Sequence, residues 1–266
     1  MRVLNALTAG GVVILGAFLT SAYIGIHVYL TALSVAIITI AGNLINDYFD
    51  VETDEINRPD RLIPSGKLTS KQVLLISISL FILGNILLTI VDLNLLKIGL
   101  AATFLLIIYT PILKRRPLIG NITVALLLSL TIIAGALASG AFLNLKNAIL
   151  PSSLIFFLNL PREILKDGED LMGDRKAGFR TFPVVFGIKR TRQLVLFTLW
   201  ILILWIFFNS FILGKLFAVC AIPGIVLPVL IMIKRAEATP IWFSNTQRIL
   251  KFLIVPGVIS LILSRI

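Results

Sequence analysis

Cysteine and histidine are almost missing from this chain: its 266 residues include one of each, Cys220 and His27. A single thiol cannot close a disulfide within the chain, and one thiol with one imidazole excludes the Cys/His sites that structural zinc favours. Cys220 sits in an apolar run and reads as a small packing residue. His27 lies between the first two apolar stretches and reads as an interfacial residue. Charge is also scarce, at 14% against about 25% in soluble domains. No Walker A loop, G-x-S-x-G elbow or H-E-x-x-H pair occurs, which removes the P-loop, nucleophile-elbow and zincin readings. The D-G-x-x-A-R…G-x-x-x-D-x-x-x-D signature of CDP-alcohol phosphotransferases is missing as well.

What fills the chain instead is apolar. Hydrophobic residues make up 58% and mean hydropathy is +1.02, more than a protein this size can bury, so much of that surface must face lipid. Nine segments approach the roughly 20 apolar residues a membrane helix needs: 6–24, 28–47, 73–91, 95–113, 118–140, 147–166, 193–212, 215–233 and 247–265. The first resembles a signal peptide but lacks an A-x-A cleavage site, and the rest of the chain is equally membranous, so it is expected to be a membrane helix. With the N-terminus in the cytoplasm, only Lys97, Lys146, Lys215 and Arg265 fall outside, leaving 20 of the 24 Lys and Arg inside. That is the asymmetry of the positive-inside rule. The net charge of +11 therefore reads as basic cytoplasmic loops and anionic lipid headgroups, not as a nucleic-acid surface. Nothing points to an obligate protein partner.

Acidic residues are still more uneven. Asp47, Asp50, Glu52, Asp54, Glu55 and Asp60 form one cluster, and Glu163, Asp167, Glu169, Asp170 and Asp174 another; only Asp92 and Glu237 lie elsewhere. In Asn46-Asp47-Tyr48-Phe49-Asp50-Val51-Glu52-Thr53-Asp54, residues 46, 50 and 54 recur at i, i+4, i+8, one face of a helix. In Arg162–Asp174, residues 167, 170 and 174 recur at i, i+3, i+7, again one face. A solvated acidic helix end is the plain alternative, but charges at the end of an apolar membrane helix are costly and usually functional. Hard oxygen ligands suit Mg²⁺, which binds through one or two carboxylates plus substrate phosphates. Asn46, Asp50, Asp54, Asp167, Asp170 and Asp174 are thus the candidate metal ligands, with Asp50, Asp54, Asp170 and Asp174 the candidate catalytic groups. Both clusters are expected on the cytoplasmic side, where facing one another they would cage metal ions bridged by a diphosphate.

Basic residues follow each cluster. Arg58, Arg61 and Lys67 stand in a Pro/Gly-containing stretch that predicts an ordered loop; Lys114, Arg115 and Arg116 follow Tyr109-Thr110-Pro111; Lys166, Arg175, Lys176 and Arg180 flank the second cluster. Any of them can simply set topology. Arg58 and Lys166, nearest the Asp stripes, are the foremost candidates to clamp a leaving phosphate, and Arg61, Lys67, Lys114 and Arg115 are candidates for a second anion. Gly10, Gly11 and Gly16 are expected to allow close helix packing, and Pro223, Pro228 and Pro256 to kink their helices.

These motifs resemble the UbiA-type intramembrane prenyltransferase superfamily. Asn46–Asp54 is similar to its N-x-x-x-D-x-x-x-D motif, Asp170–Asp174 to its second D-x-x-x-D, and Arg2-Val3-Leu4-Asn5 to a degenerate R-P-x-N. Arg58-Pro59-Asp60-Arg61-Leu62-Ile63-Pro64-Ser65-Gly66-Lys67, Arg162–Asp174 and Gly178-Phe179-Arg180-Thr181-Phe182-Pro183 resemble the archaeal ether-lipid branch most; chlorophyll-type members share the first stretch, with Pro where this chain has Leu62. The resemblance implies a single transmembrane domain over 1–266. Its fold would be an all-α integral membrane protein, nine helices around a central cavity open to the cytoplasmic side under cap loops. It implies Mg²⁺ and a prenyl diphosphate donor. For the archaeal branch it implies geranylgeranyl diphosphate as donor and the hydroxyl of geranylgeranylglyceryl phosphate, a lipid-phosphate acceptor, in phospholipid biosynthesis at the cell membrane. Transfer to an aromatic acceptor and a cation-coupled transporter are the competing readings. Transporter sites lie near the bilayer midplane in broken helices, whereas these clusters are expected at helix ends.

Overall fold

A computed structural model describes residues 2–20, 23–140 and 145–265, without the side chains of residues 2, 3, 53, 56 and 57. Arg2 of the degenerate R-P-x-N match therefore has its side chain outside the described residues. All regular structure among the described residues is helical: α1 (Arg2–Thr20), α2 (Ile26–Phe49), α3 (Val51–Asn57), α4 (Ser70–Val91), α5 (Leu93–Ile108), α6 (Ile119–Ala138), α7 (Lys146–Glu169), α8 (Leu171–Lys176), α9 (Phe182–Phe186), α10 (Ile188–Leu213), α11 (Lys215–Ala221), α12 (Leu227–Lys234) and α13 (Pro240–Leu263). Among the described residues eight spans are long and apolar enough to cross a membrane, α11 and α12 counting as one, and Leu4–Thr20 is a shorter apolar helix. The nine expected segments each map onto one of these.

The chain divides into two compact units. One comprises Met1–Arg115, Leu130–Ala148 and Lys176–Gly178; the other Arg116–Ser129, Ile149–Arg175 and Phe179–Ile266. In the first, Gly10 brings α1 to 3.0 Å from the Ala32 carbonyl oxygen of α2 for an added Cβ. Gly16 and Gly135 leave no room at all: a Cβ at either would meet the Ile132 or the Val13 carbonyl. Small residues of this kind let membrane helices approach backbone to backbone. Gly11 faces open space, so the expectation of three packing glycines holds for two. Gly135→Val is expected to destabilise this unit by about 1–3 kcal/mol, the range for overpacking, with a fall in thermal unfolding temperature as the measurement.

Turn chemistry accounts for the hairpins. Thr69 and Gln72 form a reciprocal capping box at the start of α4, which satisfies two orphan N–H groups. Asp92 ends α4 in extended backbone and its carboxylate accepts from Asn94 and Leu95 N–H to start α5. Gly214, at φ 89°, makes the matching turn between α10 and α11. Ser77 of α4 donates to the Ala41 carbonyl of α2 at 2.9 Å, and within the second unit Ser152 of α7 donates to the Ser129 carbonyl of α6 at 2.9 Å.

Two π-helical turns carry prolines, Tyr109–Leu113 after α5 and Ile222–Val226 between α11 and α12. Proline removes a backbone donor, and a π turn absorbs the mismatch. Pro223 is thus at a break as expected; Pro228 opens α12, and Pro256 lies inside α13. Helix ends run beyond the apolar segments: α13 begins at Pro240 instead of 247, capped by Thr239. Likewise α7 continues to Glu169, carrying Glu163 and Asp167 within a spanning helix.

Candidate active site

The two acidic clusters are built by the same device, one in each compact unit. A 24-residue helix ends at the residue before an Asp, the chain bends at that Asp, and a short helix follows. The i→i−4 backbone bonds run through both bends: Asp50 N–H to Asn46 C=O at 2.9 Å and Asp54 N–H to Asp50 C=O at 2.8 Å, then Asp170 N–H to Lys166 C=O and Asp174 N–H to Asp170 C=O, both at 2.9 Å. Residues 46, 50 and 54 therefore keep helical spacing across the break. In the second cluster the register equivalent to 46-50-54 is 166-170-174, with Asp167 one position along, as Asp47 is in the first.

In the first unit three carboxylates are buried: Asp47 is 2% exposed, Asp50 8% and Asp54 4%. Each is met by a cation. Lys114 Nζ lies 3.3 and 3.2 Å from the two Asp50 oxygens. The Arg61 guanidinium bridges Asp47, at 3.2 Å, and Asp54. Burial pushes the Asp50 carboxyl above its ordinary value against the opposing pull of Lys114, and the neighbouring Asp54 charge pushes it further up. Asn46 Oδ1 accepts from the Thr110 hydroxyl at 3.0 Å, so the π turn that carries Thr110, with Lys114 capping its end, is pinned to the first motif at two points. The stretch 58–69 is an ordered loop as expected, closed by Arg61 N–H to Arg58 C=O, Ser65 N–H to Arg61 C=O and Gly66 N–H to Ile63 C=O, with Gly66 at φ 73°. Arg58, Lys67 and Arg115 are exposed.

In the second unit Asp174 is 2% exposed. Asp167 accepts from the Asn121 amide of α6 at 2.9 Å. Glu163 is buried and accepts from Arg162 Nη1 at 3.1 Å and Lys166 Nζ at 2.8 Å. Glu169 is held on both oxygens by α13, from Ser244 at 2.9 Å and Gln247 at 3.0 Å. Gly168 packs so closely on Phe243 that a Cβ there has no room. Glu169 is thus a strut that fixes the second motif on α13.

Three of the candidate phosphate-binding cations have carboxylate partners here. Arg61 and Lys114, candidates for a second anion, stand on carboxylates of the first motif: loop and π turn fold back across 14 and 64 residues. Lys166 is shared with Glu163. Thr110, Asn121, Ser244 and Gln247 were not foreseen; each is an uncharged polar residue in or beside an apolar run, the one sequence signal that could have singled it out. Among the described residues, no three of His, Cys, Asp and Glu converge as a metal site. The donor chemistry nonetheless fits Mg²⁺. The oxygens are hard, Asp50 and Asp54 are near enough to repel, and an Asn carbonyl or carboxylate with one hydrogen bond keeps lone pairs for a metal.

The chain matches the UbiA prenyltransferase family over residues 6–242. It is 36% identical over 228 residues to the digeranylgeranylglyceryl phosphate synthase of Methanospirillum hungatei, covering 84% of this chain and 81% of that one. The Pyrococcus horikoshii protein of the same name is 40% identical over 195 residues, 72% and 69% of the two chains. A solved structure from a study of digeranylgeranylglyceryl phosphate synthase in membranes superposes with a TM-score of 0.78 at 26% identity, covering 98% of this chain and 94% of that one. The fold is shared with a UbiA homologue from Archaeoglobus fulgidus bound to DMAPP and Mg²⁺, at TM-score 0.73 and 19% identity over 97% of this chain and 96% of that one. By motif, helical membrane fold and these matches, the chain belongs to the UbiA prenyltransferase family.

Proposed function

We propose that this chain transfers a geranylgeranyl group from geranylgeranyl diphosphate to the hydroxyl of geranylgeranylglyceryl phosphate, releasing pyrophosphate, and that residues 1–266 work as one catalytic domain. The observation that carries the reading is the name shared by archaeal relatives at 36% and 40% identity. The A. fulgidus homologue's DMAPP and Mg²⁺ support the donor class and the metal. We further propose that the enzyme sits in the cytoplasmic membrane with its acidic clusters toward the cytoplasm, as the Lys/Arg asymmetry supports.

Asn46, Asp50, Asp54, Asp167, Asp170 and Asp174 are the residues that would hold Mg²⁺. Bound there, Mg²⁺ supplies charge neutralisation for a diphosphate whose C1–O bond is breaking. Around it this chain's own groups act electrostatically. Lys114 and Arg61, with Arg58 and Lys67, offer N–H donors to the oxygens of the diphosphate, and Lys166 to those of the acceptor phosphate. Asn121 and Thr110 hold Asp167 and Asn46 by neutral hydrogen bonds, which leaves those groups their acceptor capacity. The acceptor hydroxyl captures C1 of the donor, and its proton leaves to an oxygen base in the site. Apolar side chains that exclude water protect the allylic cation from hydrolysis.

The test is to incubate purified protein with Mg²⁺, radiolabelled prenyl diphosphates of several lengths and a panel of lipid-phosphate and aromatic acceptors, then identify products by mass spectrometry. A digeranylgeranylglyceryl phosphate product is expected. Product formed only on an aromatic acceptor, or ion flux into liposomes with no product, would sink the reading.

A further inference from the structure

Arg162, Glu163 and Lys166 form an ionic triad on one face of α7, the two cations one turn apart. Glu163 is 4% exposed, Arg162's side chain 17% and Lys166's 39%. Charges within a spanning helix are costly and rarely idle. One carboxylate would be matched by one cation; here it orients two, and the triad carries one positive charge in excess. The carboxylate uses a single nitrogen of the guanidinium, Nη1, which also lies 3.5 Å from the Asn159 amide oxygen. Arg162 Nε is buried and makes no hydrogen bond, a rare arrangement for a charged donor. An unspent guanidinium edge beside a half-exposed ammonium is the donor set of a phosphate seat, because a guanidinium edge matches two phosphate oxygens and an ammonium adds a point charge.

We propose that Arg162 and Lys166 bind the phosphomonoester of the lipid acceptor, and that Glu163 is a positioning residue which holds both cations toward it. This rests on the acceptor assigned above. It moves the second-anion role from Arg61 and Lys114, which stand on the first motif's carboxylates, to α7, one turn before Asp167 and Asp170. The seat selects for an acceptor with its own phosphate; an uncharged aromatic ring would leave the triad's excess positive charge unmatched.

The discriminating quantity is the ratio of kcat/KM for geranylgeranylglyceryl phosphate to that for its dephosphorylated form, measured on the full-length enzyme in nanodiscs. Arg162→Gln is expected to lower that ratio on the order of tenfold or more, through acceptor KM, with donor KM moving far less. Lys166→Gln, at a more exposed position, should do the same and serves if Arg162→Gln fails to fold. Glu163→Gln should raise acceptor KM while kcat holds, and octyl phosphate should compete with acceptor in the wild type and weakly in Arg162→Gln. An unchanged ratio in both cation variants, or equal rises in donor and acceptor KM, overturns the seat alone. A wild type that ignores the acceptor phosphate, or uses only aromatic acceptors, overturns the functional reading and the seat together.

Discussion

Asp50→Asn and Asp174→Asn are each expected to lower turnover on the order of 10²–10³-fold, the scale set by losing one preorganised electrostatic group from a charged transition state. Asn is nearly isosteric with Asp, so neither change opens a cavity. Each removes a negative charge and one hard oxygen ligand at a buried position. The effect should persist at saturating Mg²⁺ and be accompanied by a higher half-saturating Mg²⁺ concentration. Asp50→Asn also removes the negative charge that faces Lys114, whose ammonium contacts both Asp50 oxygens, so its unfolding temperature should fall. Adding Lys114→Met should recover part of that fall without recovering turnover, because replacing both members of a buried pair is far less costly than removing one. Wild-type turnover in either single variant would refute the assignment of these carboxylates.

The second large effect is on the fold and falls at Arg61. Its guanidinium is the shared counter-charge of Asp47 and Asp54, both nearly inaccessible. Arg61→Met should cost about 3 kcal/mol, the lower end of the range for breaking a buried pair, since Arg61 retains some exposure. The loop 58–69 loses its anchor, so limited proteolysis should cut there faster in the variant. Arg61→Lys should rescue little, because one ammonium cannot span two carboxylates as a planar fork does. Equal loop cleavage in wild type and Arg61→Met would show that the bridge does not hold the loop.

Much of this was legible in one dimension. Nine apolar segments stand out because lipid contact needs about 20 apolar residues in a row, a purely local demand. The Asp stripes stand out because helical periodicity puts i and i+4 on one face, and the two bends at Asp50 and Asp170 leave that periodicity intact. Family membership was legible because both motifs are contiguous. Helix ends were less so: α13 starts at Pro240 by virtue of its Thr239 cap, a signal hydropathy does not carry. The partners of the acidic residues were not legible at all. Thr110 reaches Asn46 over 64 residues, Asn121 reaches Asp167 over 46, and Ser244 reaches Glu169 over 75.

The sequence by itself therefore determined the membrane class, the number of apolar segments, the two acidic motifs and the family. Those follow from composition, from period and from residues within about ten positions of one another. Tertiary structure alone decided which cation serves which carboxylate. It placed Lys114 on Asp50 and Arg61 between Asp47 and Asp54, although neighbouring basic residues were equal candidates along the chain. It also left Arg162 and Lys166 around one buried Glu163 with a guanidinium edge unspent. Pairing of this kind depends on desolvation and distance in three dimensions. A buried charge takes the nearest donor that helix packing brings to it, whatever its separation in sequence.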